Sequence, residues 1–178
     1  QSGSMAASVV YAGIMAAVMA SIRSVRTSLV VFDTAVVDLT EQLADPVEVL
    51  FGTQLGGGTD IQQALGYCQG LVRAPNDTIL VLISDLYEGG DRQQLFKRAA
   101  SLIAAGVNLI VLLALSDQGA PAYDHGIAGT LAGMGAPAFA CTPDQFPDLM
   151  AAAVARRDLA QWAAARGIVT AGRAAGGS

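Results

Sequence analysis

The sequence predicts an α/β protein, a doubly wound, mostly parallel, Rossmann-like sheet flanked by helices. Three observations carry that prediction. Two unbroken apolar runs, TILVLIS at Thr78 to Ser84 and VNLIVLLAL at Val107 to Leu115, have the composition of strands buried on both faces, which is how parallel sheets are built. Helix start and stop signals separate them, Asp91 with Gln94 at one end and Gly106 at the other, matching a capping box and a left-handed helix stop. Strand and helix then alternate through most of the chain, the order that right-handed crossovers turn into one parallel sheet.

The elements follow in order. Gln1 to Ile22 carries no charge before Arg23 and Arg26, and Met5, Val9, Ile14, Val18 and Ile22 fall near one stripe, the pattern of a helix packed on a sheet. Its Ala, Gly and Ser content provides little drive for membrane insertion, and no basic region precedes it. A core helix is expected, and no membrane association. Thr27 to Phe32 and Ala35 to Leu39 read as a hairpin turning on Asp33-Thr34. Asp45-Pro46 opens a short helix through Phe51, with proline suited to the first turn. Gly56-Gly57-Gly58 needs unusual backbone angles. Thr59 with Gln62 then forms a capping box for a helix from about Asp60 to Val72.

After TILVLIS, the helix opened by Asp91 is expected to bury Phe96, Ala99, Ala100 and Ile103. VNLIVLLAL follows, then a helix from Asp124 to Met134 and a short strand from Ala138 to Cys141. Thr142-Pro143-Asp144-Gln145 opens a further helix with a box and a proline. These elements place one domain over residues 1–155. Residues 156–178 read as an Ala/Arg-rich helical tail, in which Trp162, Arg156, Arg157 and Arg166 are either a docking surface or a solvated face. Ala174 to Ser178 reads as a frayed end.

Composition narrows the function. The chain has 178 residues, 53% hydrophobic and 14% charged, enough for a buried core. With 10 Lys+Arg against 15 Asp+Glu, the net charge of -5 excludes a general nucleic-acid surface, which needs basic groups to displace counterions. Cys68 and Cys141 lie far apart without a CxxC pattern, excluding a disulfide scaffold and a zinc knuckle. The first residue is Gln1, so the parent chain is expected to begin further upstream.

Ligands of open α/β sheets bind beyond the carboxyl ends of the strands. Ser2 and Ser4 precede the first helix, Thr59 sits at the turn into the second, and Asp85 ends the TILVLIS strand. Each has an ordinary use as a cap or turn residue. Together they are hard oxygen donors directed at one crevice, a chemistry suited to Mg²⁺ or Mn²⁺. Hydroxyl ligands leave the cation incompletely neutralised, which favours a carboxylate from an acidic partner as the last ligand. Asp60, Glu88, Asp117 and His125, with Gly57 and Gly58, are the rim candidates for partner contact.

Ser2-Gly3-Ser4-Met5, GGGTD at Gly56 to Asp60 and LISDLYEGG at Leu82 to Gly90 resemble the three segments of the metal-ion-dependent adhesion site (MIDAS) of von Willebrand factor A (VWA) domains, in the same order. The resemblance covers about Gln1 to Val154 and is closest to the bacterial intracellular branch that works beside MoxR-type AAA+ ATPases. It implies Ser2, Ser4 and Thr59 as hydroxyl ligands, Asp85 as an acidic ligand, a cytoplasmic location and a noncatalytic adaptor role. The family pattern is Asp-x-Ser-x-Ser, and its aspartate and the central strand before it would fall upstream of Gln1. This chain alone is therefore expected to bind Mg²⁺ weakly or not at all, and to leave the neighbours of that strand unpaired.

The competing class is an enzyme, a receiver-like phosphoacceptor or Mg-dependent phosphoryl-transfer enzyme using Asp85. It is disfavoured because the one lysine, Lys97, sits in a helix rather than after a later strand. GGGTD also lacks the lysine of a nucleotide-binding loop.

Overall fold

A computed structural model describes residues 25–44, 59–113, 123–140, 145–168 and 170. The expected helices at Gln1 to Ile22 and Asp45 to Phe51, the glycines at 56–58, Thr142 to Asp144 and the end from Ala174 lie outside the described residues.

Strands β1 (Val30–Phe32) and β2 (Val36–Asp38) form the expected hairpin, with Val31 opposite Val37. The Asp33 carboxylate accepts a hydrogen bond from the Ala35 amide at 2.6 Å and stabilises the turn. A single 3-10 turn follows at Thr40–Ala44. Helix α1 (Ile61–Leu71) leads through a second 3-10 turn at Pro75–Asp77 into β3 (Ile79–Ser84). Helix α2 (Arg92–Ala105), β4 (Asn108–Leu113), α3 (His125–Met134), β5 (Ala138–Phe139), α4 (Phe146–Val154) and α5 (Leu159–Ala165) complete the described elements.

The core is a parallel three-stranded sheet in the order β3-β4-β5, with Val81 opposite Ile110 and Val111 opposite Ala138. Its two faces explain the unbroken apolar runs. Leu109, Val111 and Leu113 of β4, with Leu82 of β3, pack against α1, α2 and α3. Ile110 and Leu112 pack on the opposite face against α4 and α5. Alternate residues of one strand thus serve two helical layers, so neither parity can be polar.

The described strands form two sheets. The hairpin is its own two-stranded sheet, and β1 and β3 are not hydrogen-bonded neighbours. It joins the rest through α1 instead. The Tyr67 hydroxyl donates to the Asp38 carboxylate at 2.7 Å, the Asp60 amide donates to the Asp33 carbonyl at 2.8 Å, and Phe32 packs against the core under α1 and α2.

Three local expectations need correction. The buried stripe of α2 is Leu95, Ala99 and Leu102. Ala100 is exposed, and Phe96 and Ile103 only flank the stripe. The i, i+4, i+7 set beginning at Leu95 faces the sheet, one residue earlier in phase than the set read from Phe96. Helix α4 begins at Phe146 with Pro147 in its first turn, and Gln145 makes no side-chain cap bond. Trp162, read with its neighbouring arginines as a docking surface or a solvated face, is on neither, being 8% exposed. Leu159, Trp162 and Ala163 of α5, with Ile168 beyond it, are buried in the same core as α4 and β4, whereas Arg156, Arg157 and Arg166, which flank the helix, are exposed. Arg156 donates to the Asn76 carbonyl at 3.1 Å, and Arg166 pairs with Asp148 at 3.2 Å.

Helix ends follow their sequence signals. Asp91 caps α2 through bonds from the Gln93 and Gln94 amides, and Asp124 caps α3 through the Ile127 amide. Gly106 ends α2 with φ of 108°, a left-handed conformation that side chains resist.

Candidate functional site

Parallel strands deliver their carboxyl ends to one rim, and the described candidate residues meet there. Asp85 directly follows β3. Its backbone carbonyl accepts a hydrogen bond from the Asp124 amide at 2.9 Å, which brings in the start of α3. On its other side the Gly89 amide donates to the Thr59 carbonyl at 2.7 Å, which brings in the start of α1. Three connections separated in sequence by tens of residues are thereby stitched together at the end of one strand.

The turn leaving β3 has an unusual local structure. Ser84 is buried, and its hydroxyl accepts from the Leu86 amide at 3.0 Å. Leu86 adopts φ of 64° while its side chain is fully buried. A leucine in the left-handed region is costly by roughly 1–3 kcal/mol and persists only where the surroundings enforce it. Here the buried leucine side chain does so, and the next residue is turned outward. Tyr87 is 54% exposed. The Asp85 carboxylate, partly exposed, accepts from the Tyr87 amide at 3.2 Å through Oδ1. Its Oδ2 takes part in no hydrogen bond among the described residues.

Thr59 corrects a sequence reading. Asp60 caps α1, its carboxylate accepting from the Gln63 amide at 3.0 Å, so the Thr59 and Gln62 box does not form. The side chain released from capping, the Thr59 hydroxyl, makes no hydrogen bond among the described residues. The two amides ahead of Gln63 are taken by Glu88. Its carboxylate accepts from Ile61 at 3.2 Å and Gln62 at 3.0 Å, and from Gly90 at 2.7 Å. A negative charge at a helix N-terminus is favourable both for the free N–H groups and for the helix dipole. Sequence spacing missed this role because Glu88 lies 26 residues from Gln62. The adjacent Gly89-Gly90 pair was the available signal. A Cβ on Gly89 would stand 2.9 Å from the Thr59 carbonyl oxygen, so only glycine permits this approach.

His125 is exposed at the start of α3, and its ring lies 4.1 Å from that of buried Tyr123. Beside it the Arg92 guanidinium donates to the Asp124 carboxylate at 2.9 Å, a rim ion pair that the sequence did not disclose. Ser2, Ser4, Gly57, Gly58 and Asp117 lie outside the described residues. The described part of the site thus contributes one unengaged hydroxyl and one partly free carboxylate, both hard oxygen donors of the kind Mg²⁺ accepts. No group of three His, Cys, Asp or Glu side chains suited to a metal occurs among the described residues. Lys97 is exposed on α2. No helix among the described residues is long and apolar enough to cross a membrane.

Comparison with known proteins agrees with the fold. The family described as VWA domain containing CoxE-like protein matches residues 1–150. A curated relative, "Uncharacterized protein YehP" from Escherichia coli (strain K12), is 41% identical over 151 residues, covering 85% of this chain and 40% of the relative. The chain thus spans about two fifths of the length of that relative. No solved structure matches. A family match over most of the chain, a 41% identical relative and a parallel α/β sheet with helices on both faces lead to one assignment: the chain belongs to the VWA-domain-containing CoxE-like family.

Proposed function

We propose that this chain is a noncatalytic, metal-dependent protein-interaction domain of the MIDAS type. Ser2, Ser4 and Thr59 would supply hydroxyl ligands and Asp85 a carboxylate, to Mg²⁺ or Mn²⁺. The bound ion would supply a Lewis-acidic position that accepts a carboxylate from a protein partner. The observation that carries this reading is the pairing on one rim of two oxygen donors that make no hydrogen bond among the described residues. The Thr59 hydroxyl is released from capping by Asp60, and Asp85 Oδ2 is left open while Oδ1 accepts from Tyr87. A threonine before a helix normally spends its hydroxyl on the helix, so an idle one beside a strand-end carboxylate supports a ligand role.

The partner we favour is a MoxR-type AAA+ ATPase, for which the domain would act as a cytoplasmic adaptor. Affinity capture of such an ATPase, compared in Mg²⁺ and in EDTA, tests this. Capture that needs the metal and is lost in Thr59→Ala is the expected result. Equal capture in EDTA, or by the Thr59→Ala variant, contradicts the proposal.

A further inference from the structure

Glu88 was a candidate for partner contact, yet its carboxylate is turned inward, onto the chain's own backbone. One oxygen accepts from Ile61 at 3.2 Å and Gly90 at 2.7 Å, the other from Gln62 at 3.0 Å. These amides belong to both sides of the rim: Ile61 and Gln62 open the helix that follows Thr59, and Gly90 closes the loop that begins at Asp85. Beside this three-donor knot the Gly89 amide bonds the Thr59 carbonyl at 2.7 Å. A Cβ on Gly89 would stand 2.9 Å from the Thr59 carbonyl oxygen, and one on Gly90 would crowd the Asp60 and Glu88 carboxylates at 3.1 Å.

We propose that Glu88 is a positioning residue that clamps the Asp85 loop to the Thr59 turn and fixes the two donors relative to each other before any ligand arrives. The inference rests on the reading of this rim as a metal-dependent docking site. The physical reason is preorganisation. Thr59 and Asp85 sit on different connections, and nothing in either side chain holds it to the other. A carboxylate bonded to amides of both connections removes their relative motion, so a ligand that needs both loses less freedom on binding. The carboxylate suits the task because it offers two oxygens and no donor. A glutamine in its place keeps the length but offers one oxygen, and its amide group turns donors toward a backbone donor.

Amide hydrogen exchange of the chain by NMR, with Mn²⁺ affinity by water-proton relaxation in the polypeptide as the cell makes it, tests the clamp in Glu88→Gln. Exchange at Ile61, Gln62 and Gly90 is expected to speed up by about tenfold or more, the consequence of losing charge-assisted bonds. Exchange at Ile110 and Val111 of β4 is expected to stay unchanged, and the Mn²⁺ Kd to rise by about tenfold. Unchanged exchange at the three clamp amides, or acceleration reaching β4 equally, overturns the clamp. Equal Mn²⁺ affinity in parent and variant overturns its positioning role. Absence of Mn²⁺ binding in the parent is a different failure, since it overturns the metal reading on which that role depends.

Discussion

Replacing Trp162 with alanine decides whether the C-terminal helix belongs to the domain. The indole is 8% exposed and shares a core with Ile110 and Leu112 of β4, Phe139 of β5, and Phe146 and Leu149 of α4. Emptying such a site removes the transfer free energy of the ring and leaves a cavity, together about 3–5 kcal/mol for a buried tryptophan. For a chain of 178 residues, each kcal/mol lowers Tm by roughly 2–4 °C. A loss near the middle of that range therefore lowers Tm by about 8–16 °C. The Arg166→Ala variant is the control. Its guanidinium lies 4.7 Å from the indole centroid and pairs with half-solvated Asp148. Both contacts reach solvent, so their joint loss is expected to cost under about 1 kcal/mol. Urea unfolding and thermal melts of both variants give the comparison. A Trp162→Ala variant within about 1 kcal/mol of the parent would refute the packing argument and return this helix to the status of an appended tail.

Three further outcomes follow from the same reasoning. Gly106→Ala must hold a side chain at φ of 108° with its Cβ against the Asn76 amide oxygen; because Asn76 can rotate away, the backbone cost dominates, about 1–2 kcal/mol in urea melts. Asp124→Asn keeps a good cap and should be nearly neutral, whereas Asp124→Ala loses the Ile127 bond and the half-exposed Arg92 pair, a loss of about 1–2 kcal/mol by the same melts. Burial pushes the Cys68 thiol up from 9.0 to about 11, with the nearby Asp38 charge adding to it. The folded state therefore favours the neutral thiol, and this contribution is whole below pH 9.0 and lost as pH rises through about 11. Iodoacetamide at pH 8 is expected to label Cys68 slowly in the native chain and quickly in urea.

Much of the fold was legible because its signals are local or periodic. TILVLIS and VNLIVLLAL announced strands covered on both faces, and Asp91, Gly106 and Asp124 marked helix ends through bonds spanning a few residues. The hairpin turn was equally readable, since Asp33 bonds an amide two residues away. What escaped were bonds between distant segments. Asp60 and Thr59 are both good caps, and their order of preference was decided by Glu88 reaching across from another loop. The left-handed Leu86 carries no sequence mark, because its strain is enforced by burial in the core. Trp162 was misread among its arginines because an Ala-rich helix looks amphipathic from either side until the sheet shows which face it covers. The candidate site was legible as oxygen donors at strand and helix ends. The clamp that joins them was not.

The central claim is that Asp85 and Thr59 hold a divalent cation. Calorimetric titration of Mg²⁺ into the polypeptide as the cell makes it, alongside Asp85→Ala, tests it most directly. Among the described residues the Asp85 carboxylate holds one loop amide, at 3.2 Å, so the substitution should leave stability within about 0.5 kcal/mol and still abolish the binding heat. Saturable Mg²⁺ binding in the parent and none in the folded variant is the predicted result. No binding in the parent, or binding that survives Asp85→Ala, would contradict the account.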